Sequence, residues 1–268
     1  MGAASANVTE DALRRPAAGR GAPTKASGVR RQAGKGDRVG KRLVLWDIDK
    51  TLIDVDGLGA EIFAAAFAEF SGLAEHTRTH APGRTEWQWF HETQLANGLK
   101  PTESCFPRFL GIQDTMFEAR RTEFAQRGRV LPGVPEILRH CADDPDTVSS
   151  LLTGNTRRNA ERKLAAFGLD RFVDLSIGAY GDDHMDRPEL VRIARERVQE
   201  STGTAFTADT TVLVGDSAND VLAALHGGAR IVAVATGLVP TDGLRAAGAE
   251  VVLDDLSDTD AVLAELLA

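Results

Sequence analysis

Two carboxylates and a hydroxyl stand directly after a short apolar segment. The run Leu43 to Trp46 is continuously apolar, and Asp47, Asp49 and Thr51 follow it. A short apolar run of this kind predicts a strand that is buried on both faces of a parallel sheet. Because ligands of such sheets bind beyond the carboxyl ends of the strands, we expect chemistry where this strand ends.

Three later segments place further polar groups at strand ends or at a helix start. They are Thr153-Gly154-Asn155 after the apolar pair Leu151-Leu152, Arg187 before a helix that opens with Pro188-Glu189, and Asp216 with Asp220 after the run Val212 to Val214. Each pattern is common in α/β proteins when it stands alone. The four segments in this order are hard to reach by chance.

The order Asp-x-Asp-x-Thr-Leu from Asp47 to Leu52, followed by these three segments, resembles the signature of the haloacid dehalogenase-like phosphohydrolases. The resemblance covers residues 41 to 268. It implies that Asp47 is a nucleophile that forms an aspartyl phosphate and that Asp49 is a general acid and base. Dehalogenase chemistry is disfavoured, because members with that activity lack the second aspartate, which is present here as Asp49.

The same resemblance implies a Mg2+ site. Its ligands would be Asp47, the backbone carbonyl of Asp49, Asp216 and, directly or through water, Asp220. Mg2+ prefers oxygen ligands and usually takes one or two carboxylates together with substrate phosphate. The alternative for Asp220 is a helix N-terminal residue that interacts with the helix dipole.

Phosphate oxygens would be held by Thr153, Gly154, Asn155 and Arg187. The first three offer a hydroxyl and backbone N–H groups at a predicted helix start, which suits an anion. Arg187 stands where the family more often has Lys; a guanidinium can both hold Asp47 ionised and pair with phosphate. Its alternative is a surface arginine beside a helix-initiating proline.

Two further cations are candidates for substrate specificity. Lys50 stands where the family usually has Gly, at the expected lip of the site. Arg84 lies in a Gly-Arg-Thr loop that resembles a loop facing the active site in related enzymes. Either side chain could instead be an ordinary solvated cation, and both would favour a small anionic metabolite.

The fold that must position these residues is predicted to be α/β. From residue 130 onward strand and helix patterns alternate, which indicates βαβ units and a Rossmann-like parallel sheet with helices on both faces. Between residues 57 and 129 the patterns are helical, and this insert resembles the all-helical cap of the family's phosphoglycolate phosphatase-like branch. The expected domains are a basic disordered tail (1–40), a catalytic core (41–56 and 130–268) and the cap (57–129). Predicted elements include helices at 106–110 and 115–126 and a strand at 172–177.

Charge and cysteine content narrow the class of protein. Residues 1–42 carry ten Lys/Arg and three Asp/Glu, while the rest of the chain has a net charge of −15, which argues against nucleic-acid binding. No segment is long and apolar enough for a membrane span. Cys105 and Cys141 lack metal-ligand spacing, and we expect reduced thiols in a cytoplasmic protein.

The sequence therefore predicts a Mg2+-dependent phosphatase that acts on a small phosphorylated metabolite, as a monomer or homodimer. One alternative is a phosphomutase of the β-phosphoglucomutase type, in which the phosphoryl group passes to a sugar hydroxyl instead of water. The other is a non-catalytic protein that keeps the scaffold to bind a ligand. The identity of the phosphomonoester is not predicted.

Overall fold

The computed structural model describes residues 41–79 and 82–268. The predicted basic tail, residues 1–40, lies outside the described residues. In the described part of the chain, no helix combines the length and the apolar character needed to cross a membrane.

The strands of the described residues form one large sheet and one small one. They are β1 (Arg42–Trp46), β2 (Ile53–Asp54), β3 (Arg129–Val130), β4 (Thr147–Leu151), β5 (Thr211–Gly215), β6 (Arg230–Val234) and β7 (Val251–Leu253). Five of them lie parallel in the order β4-β1-β5-β6-β7, and β2 pairs with β3 in antiparallel fashion. The position of β1 between β4 and β5 places its carboxyl end between theirs.

The helices of the described residues fall into two groups. Four lie between β2 and β3: α1 (Leu58–Ser71), α2 (Glu86–Ala96), α3 (Cys105–Ala119) and α4 (Arg121–Arg127). Six follow β3: α5 (Val134–Asp143), α6 (Arg157–Phe167), α7 (Arg187–Thr202), α8 (Ala218–Gly227), α9 (Thr241–Ala246) and α10 (Thr259–Leu267).

The burial of β1 explains its continuous apolar sequence. Leu43 and Leu45 pack against residues of α7 and α8, whereas Val44 and Trp46 pack against residues of α5, α6 and α10 on the opposite face. All four side chains are fully buried. Successive side chains of a strand point to opposite faces, so helices on both faces require apolar residues at every position. The predicted parallel sheet with helices on both faces is confirmed.

The helices between β2 and β3 have an apolar cluster of their own. It is built mainly from aromatic side chains of α1, α2 and α3: Phe63, Phe67, Phe70, Phe90, Phe106 and Phe109. Several of these rings pack edge to face or stacked, with centroids 4.4 to 6.5 Å apart. The cluster gives α1, α2 and α3 an apolar core, while Leu58 and Ile62 of α1, Phe117 of α3 and Phe124 of α4 belong to a cluster that flanks the sheet.

The predicted strand at 172–177 is wrong. Residues 170–172 form a short 3-10 helix, and the chain then follows the edge of β4 irregularly, with Asp174 N donating to Ser149 O and Ala179 N to Leu151 O. The Asp174 carboxylate accepts from the backbone N–H and the hydroxyl of Ser176. Such a turn, formed by a side chain and the neighbouring backbone, competes with strand pairing. This competition explains why residues 172–177 do not form the strand that their apolar pattern predicts.

Helix boundaries in the insert between β2 and β3 also differ from expectation. The pieces predicted at 106–110 and 115–126 are instead α3, which is continuous through Gly111, and the short α4. A single glycine costs a helix only about 1 kcal/mol, and packing of Phe109 and Phe117 on the same helix outweighs that cost.

Candidate active site

The carboxyl edge of the sheet gathers the residues that follow β1, β4 and β5. Asp47 follows β1, Thr153 lies two residues after β4, and Asp216 follows β5 directly. Asp47 N donates to Val214 O at 2.9 Å, so the register of β1 against β5 fixes the position of Asp47. The predicted convergence of these segments at one edge is thus what the structure has.

Three buried carboxylates form the centre of this edge. Asp47, Asp216 and Asp220 each offer an oxygen within 4.8 Å of the others. Burial, followed by the repulsion of neighbouring carboxylates, raises the pKa of both Asp47 and Asp216 above the usual range of an aspartate. Such a set of hard oxygen donors fits a divalent cation, which would relieve the repulsion between them. The side chain of Asp49 is outside this group of three.

Arg187 is buried and connects the acidic cluster to a distant loop. Its Nη2 donates to Asp47 Oδ1 at 2.9 Å and to Asp220 Oδ1 at 2.5 Å, and its Nη1 donates to the Gly83 carbonyl at 2.9 Å. The two carboxylates raise the pKa of the guanidinium, against the effect of burial, so Arg187 remains charged. A compact ammonium could not reach three such separated acceptors with the same planar geometry.

Asp220 also organises the start of α8. Its Oδ2 accepts from the backbone N–H of Ser217 at 3.1 Å and from the Ser217 hydroxyl at 2.5 Å, while Ser217 caps Asp220 N. This is a capping box, which satisfies otherwise unpaired helix N–H groups. Asp220 is therefore both an N-terminal residue of α8 and a member of the acidic cluster.

Asn155 and Lys163 hold the second aspartate. Asn155 Nδ2 donates to Asp49 Oδ2 at 2.8 Å and to Thr153 Oγ1 at 2.9 Å. Lys163 Nζ lies 2.8 and 2.6 Å from the two oxygens of Asp49 and donates to Asn155 Oδ1 at 2.7 Å. The Asp49 carboxylate, which is partly exposed, is thereby fixed towards the cavity by two buried side chains.

Lys163 was not among the residues predicted from the sequence. It lies on α6, in a segment rich in arginine, and its spacing from Asn155 follows no strand or helix-start pattern. Its side chain is only 4% exposed. One feature of the sequence indicates its burial. Lys163 lies one helical turn after Ala160 and therefore on the same, core-facing side of α6, where a solvated lysine is not expected.

The loop from Pro82 to Glu86 lies directly on the residues of the sheet edge. Asn219 Nδ2 donates to the Pro82 carbonyl at 2.6 Å, and Glu86 N donates to the Gly154 carbonyl at 2.7 Å. A side-chain Cβ at residue 154 would lie 2.0 Å from the Arg84 carbonyl, so glycine is required there. Sequence reasoning singled out this loop, and the structure places it against the site.

The two predicted specificity cations both line the cavity, and both are paired with acids. Arg84 forms an ion pair with Glu92, and Lys50 Nζ lies 2.6 Å from Asp54 Oδ1. Lys50 has a φ of 64°, in the left-handed region that favours glycine, which gives a physical reason for the usual Gly at this position.

A cavity of about 400 Å³ opens above the acidic edge. The residues around it come from the sheet edge, the 82–86 loop and helices α1, α2, α3, α6 and α7. They include Asp47, Asp49, Lys50, Asp54, Val55, Ala60, Arg84, Glu86, Trp89, Phe117, Asn155, Lys163, Arg187, Asp216 and Leu238. Its volume suits a small organic molecule.

Comparison with known proteins agrees with this architecture. The curated protein from Dickeya dadantii named probable phosphatase IndB is 28% identical over 231 residues, which cover 81% of this chain and 91% of the relative. The structure of a predicted phosphatase from Clostridium acetobutylicum shares the fold, with a TM-score of 0.62 and 19% identity over 85% of this chain and all of that one. A predicted phosphoglycolate phosphatase from Haemophilus somnus gives a TM-score of 0.60 and 18% identity, over 85% and 99% of the two chains.

The parallel sheet with a buried acidic site at its carboxyl edge defines an α/β enzyme. The model of the haloacid dehalogenase-like hydrolases matches residues 44–225, well over half of the chain. The chain belongs to the haloacid dehalogenase-like hydrolase family.

Proposed function

We propose that the protein is a Mg2+-dependent phosphatase that hydrolyses a small phosphomonoester through a phosphoryl group on Asp47. The observation that carries the proposal is the buried cluster of Asp47, Asp216 and Asp220, bridged by Arg187 beneath the cavity. The similarity to a curated relative named a phosphatase supports the same reaction class.

The three clustered carboxylates fit Mg2+ in type and spacing. Asp47 and Asp216 would hold the ion, with Asp220 contributing directly or through water. Space beside Asp216 is kept by Gly237, whose position allows no Cβ: such an atom would lie 1.7 Å from Asp216 Oδ2. Bound at this place, Mg2+ would neutralise part of the charge of the phosphate and so permit an anionic nucleophile to approach it.

In the first step an Asp47 carboxylate oxygen bonds to phosphorus and the bond between phosphorus and the alcohol oxygen breaks. Asp49 enters this step protonated, gives its proton to the departing alkoxide and becomes a carboxylate. Lys163 and Asn155 donate to the Asp49 carboxylate that this transfer leaves and hold it in place for the second step. In the second step Asp49 takes a proton from water, the water oxygen bonds to phosphorus, and the bond from phosphorus to Asp47 breaks to release inorganic phosphate.

Charge on the transferring group would be met by Arg187 and by the Thr153 to Asn155 loop. Arg187 lines the cavity, and its buried Nε has no acceptor among the described residues. We assign the helices between β2 and β3, with the loop that contains Arg84, to a cap that covers the cavity and excludes water.

Cys105 and Cys141 are free thiols, in keeping with a reducing, cytoplasmic setting.

The test is phosphate release from a panel of small phosphomonoesters, with Mg2+ or with EDTA, by the wild type and by Asp47→Asn. We expect release that requires both the metal and Asp47, with the fold of the variant unchanged by circular dichroism. Metal-independent release, or near-normal turnover by Asp47→Asn, would refute the proposal. Isomerisation of a phosphohexose primed by its bisphosphate, without phosphate release, would support the phosphomutase instead, and Mg2+ binding without any turnover would support the binding scaffold.

A further inference from the structure

The charges around the cavity differ between its floor and its walls. The floor carries the residues assigned above to phosphoryl transfer. The walls, which would contact the alcohol portion of a substrate, carry Lys50, Asp54, Arg84 and Glu86 together with apolar side chains. The charges of these wall residues determine whether the cavity favours an anionic, a neutral or a cationic alcohol portion.

Every cation that lines the cavity is in an ion pair, within the described part of the chain. On the walls, Lys50 pairs with Asp54 and Arg84 with Glu92. At the floor, Lys163 pairs with Asp49, and Arg187 with two carboxylates of the acidic cluster. Asp54 also pairs with Arg129, which does not line the cavity. Each wall cation therefore already contacts a carboxylate, and a second anionic group on a substrate would have to compete with that carboxylate for it.

Glu86 is the wall carboxylate that forms no direct ion pair among the described residues, although the charge of Lys163 acts on it from a distance. It is the first residue of α2 and is 8% exposed. The hydrogen bond from its backbone N–H to Gly154 O fixes it beside the loop from Thr153 to Asn155. Its side chain accepts a hydrogen bond from the Gln113 amide on Oε1. The other carboxylate oxygen has no donor from the described residues, which leaves an acceptor for a bound molecule.

Apolar groups complete the walls. Val55, Ala60, Trp89, Phe117 and Leu238 border the cavity. Trp89 is held in place by stacking on the Phe63 ring, with centroids 3.6 Å apart. Walls of this kind accept a carbon skeleton but supply no compensation for a buried negative charge.

We infer that Glu86 is a specificity residue that selects phosphomonoesters whose alcohol portion is neutral or cationic and bears a hydroxyl or amino hydrogen-bond donor. Compounds with a second anionic group, such as a carboxylate, are rejected because that group would lie near the carboxylate of Glu86, while the wall cations Lys50 and Arg84 already contact carboxylates. This inference rests on the proposed phosphatase function. It reverses the preference for an extra anionic group that Arg84 and Lys50 suggest as isolated residues.

The test uses three two-carbon substrates that differ in charge: 2-phosphoglycolate (anionic), 2-hydroxyethyl phosphate (neutral) and O-phosphoethanolamine (cationic). Burial raises the pKa of Glu86 to about 7. The assays therefore use saturating Mg2+ at pH 8, above this pKa, where Glu86 is mostly ionised. We expect kcat/KM of the wild type for the neutral and cationic compounds to exceed that for 2-phosphoglycolate by at least about tenfold, the scale of a like-charge contact at a recognition site. Glu86→Gln should remove most of this discrimination.

Two further variants accompany Glu86→Gln, one as a control for the loss of a carboxylate and one as an independent test. Glu69→Gln removes a carboxylate from the exposed face of α1, outside the cavity, and should keep the wild-type ratio. Glu92→Gln releases Arg84 from its ion pair and should raise kcat/KM for 2-phosphoglycolate, and this result is informative even if Glu86→Gln does not fold. Equal or better turnover of 2-phosphoglycolate by the wild type, or an unchanged ratio in a folded Glu86→Gln, would overturn the inference alone. Absence of turnover with all three compounds and with p-nitrophenyl phosphate would overturn the phosphatase proposal on which it rests.

Discussion

Replacement of Gly237 by alanine tests the geometry of the acidic cluster without removing a charge. Gly237 lies in the loop after β6, and a Cβ built there would be 1.7 Å from Asp216 Oδ2 and 2.7 Å from its Cγ. The backbone of Gly237 is not in the left-handed region, so the effect of the methyl group is steric. The substitution must move Asp216, the loop, or both.

The size of the effect follows from the required displacement. Since Cβ atoms essentially never approach closer than 3.0 Å, the separation must grow by roughly 1.3 Å. Misplacement of a catalytic group by about 1 Å costs on the order of 100-fold in rate. That is about 2.7 kcal/mol of transition-state stabilisation, at about 1.36 kcal/mol for each factor of ten. Overpacking also lowers the free energy of unfolding, by about 1 kcal/mol at a site where the neighbouring Leu238 is exposed.

The assay compares kcat/KM at saturating Mg2+ and the free energy of unfolding in urea for wild type, Gly237→Ala and Gly111→Ala. Gly111 lies inside α3 with no atom within 4 Å of the added methyl group. Its replacement should leave kcat/KM unchanged and stabilise the protein by about 0.5 to 1 kcal/mol. Wild-type kcat/KM in a folded Gly237→Ala would refute the assigned position of Asp216.

Three further predictions concern buried charged groups. Lys163→Met should lower kcat by about tenfold to hundredfold with little change in KM, because Asp49 loses its orientation, while the exposed Lys100→Met should not change kcat. Arg187→Met should lower the free energy of unfolding by about 3 kcal/mol or more in urea, since it leaves buried carboxylates unpaired. The pKa of Glu86 is raised by burial from 4.5 to about 7, so the folded state binds its proton more tightly and loses stability as pH rises through that range. Glu86→Gln should therefore gain about 3 kcal/mol relative to wild type between pH 4.5 and 8, measured by urea unfolding; an equal pH dependence in both proteins would show that Glu86 is not a buried acid.

The parts of the fold that sequence reasoning predicted are those encoded by local patterns. A continuous apolar run such as Leu43 to Trp46 has few interpretations other than a strand covered on both faces. Once the strands are parallel, the carboxyl ends of neighbouring strands meet, and the approach of Asp47 to Asp216 follows from topology. The fold class and the family therefore followed from short segments.

The parts that were missed depend on side-chain contacts that local patterns of apolar residues do not encode. Lys163 reaches Asp49 across 114 positions, and its place on the buried face of α6 indicates a buried lysine but not the residue that it contacts. Arg84 looks like a free cation in sequence because its partner Glu92 lies on the following helix. The strand expected at 172–177 fails because the Asp174 carboxylate binds the local backbone, an effect that an apolar pattern does not register.

The most direct test of the central claim is to look for the phosphoryl group on Asp47. The protein would be mixed with Mg2+ and a turned-over phosphomonoester, quenched in acid within the first turnover, and digested for mass spectrometry. The account predicts one added phosphoryl group on the peptide that contains Asp47 in the wild type, and none in Asp47→Asn. Phosphate release at full rate with no phosphoryl group on that peptide at any quench time would contradict it.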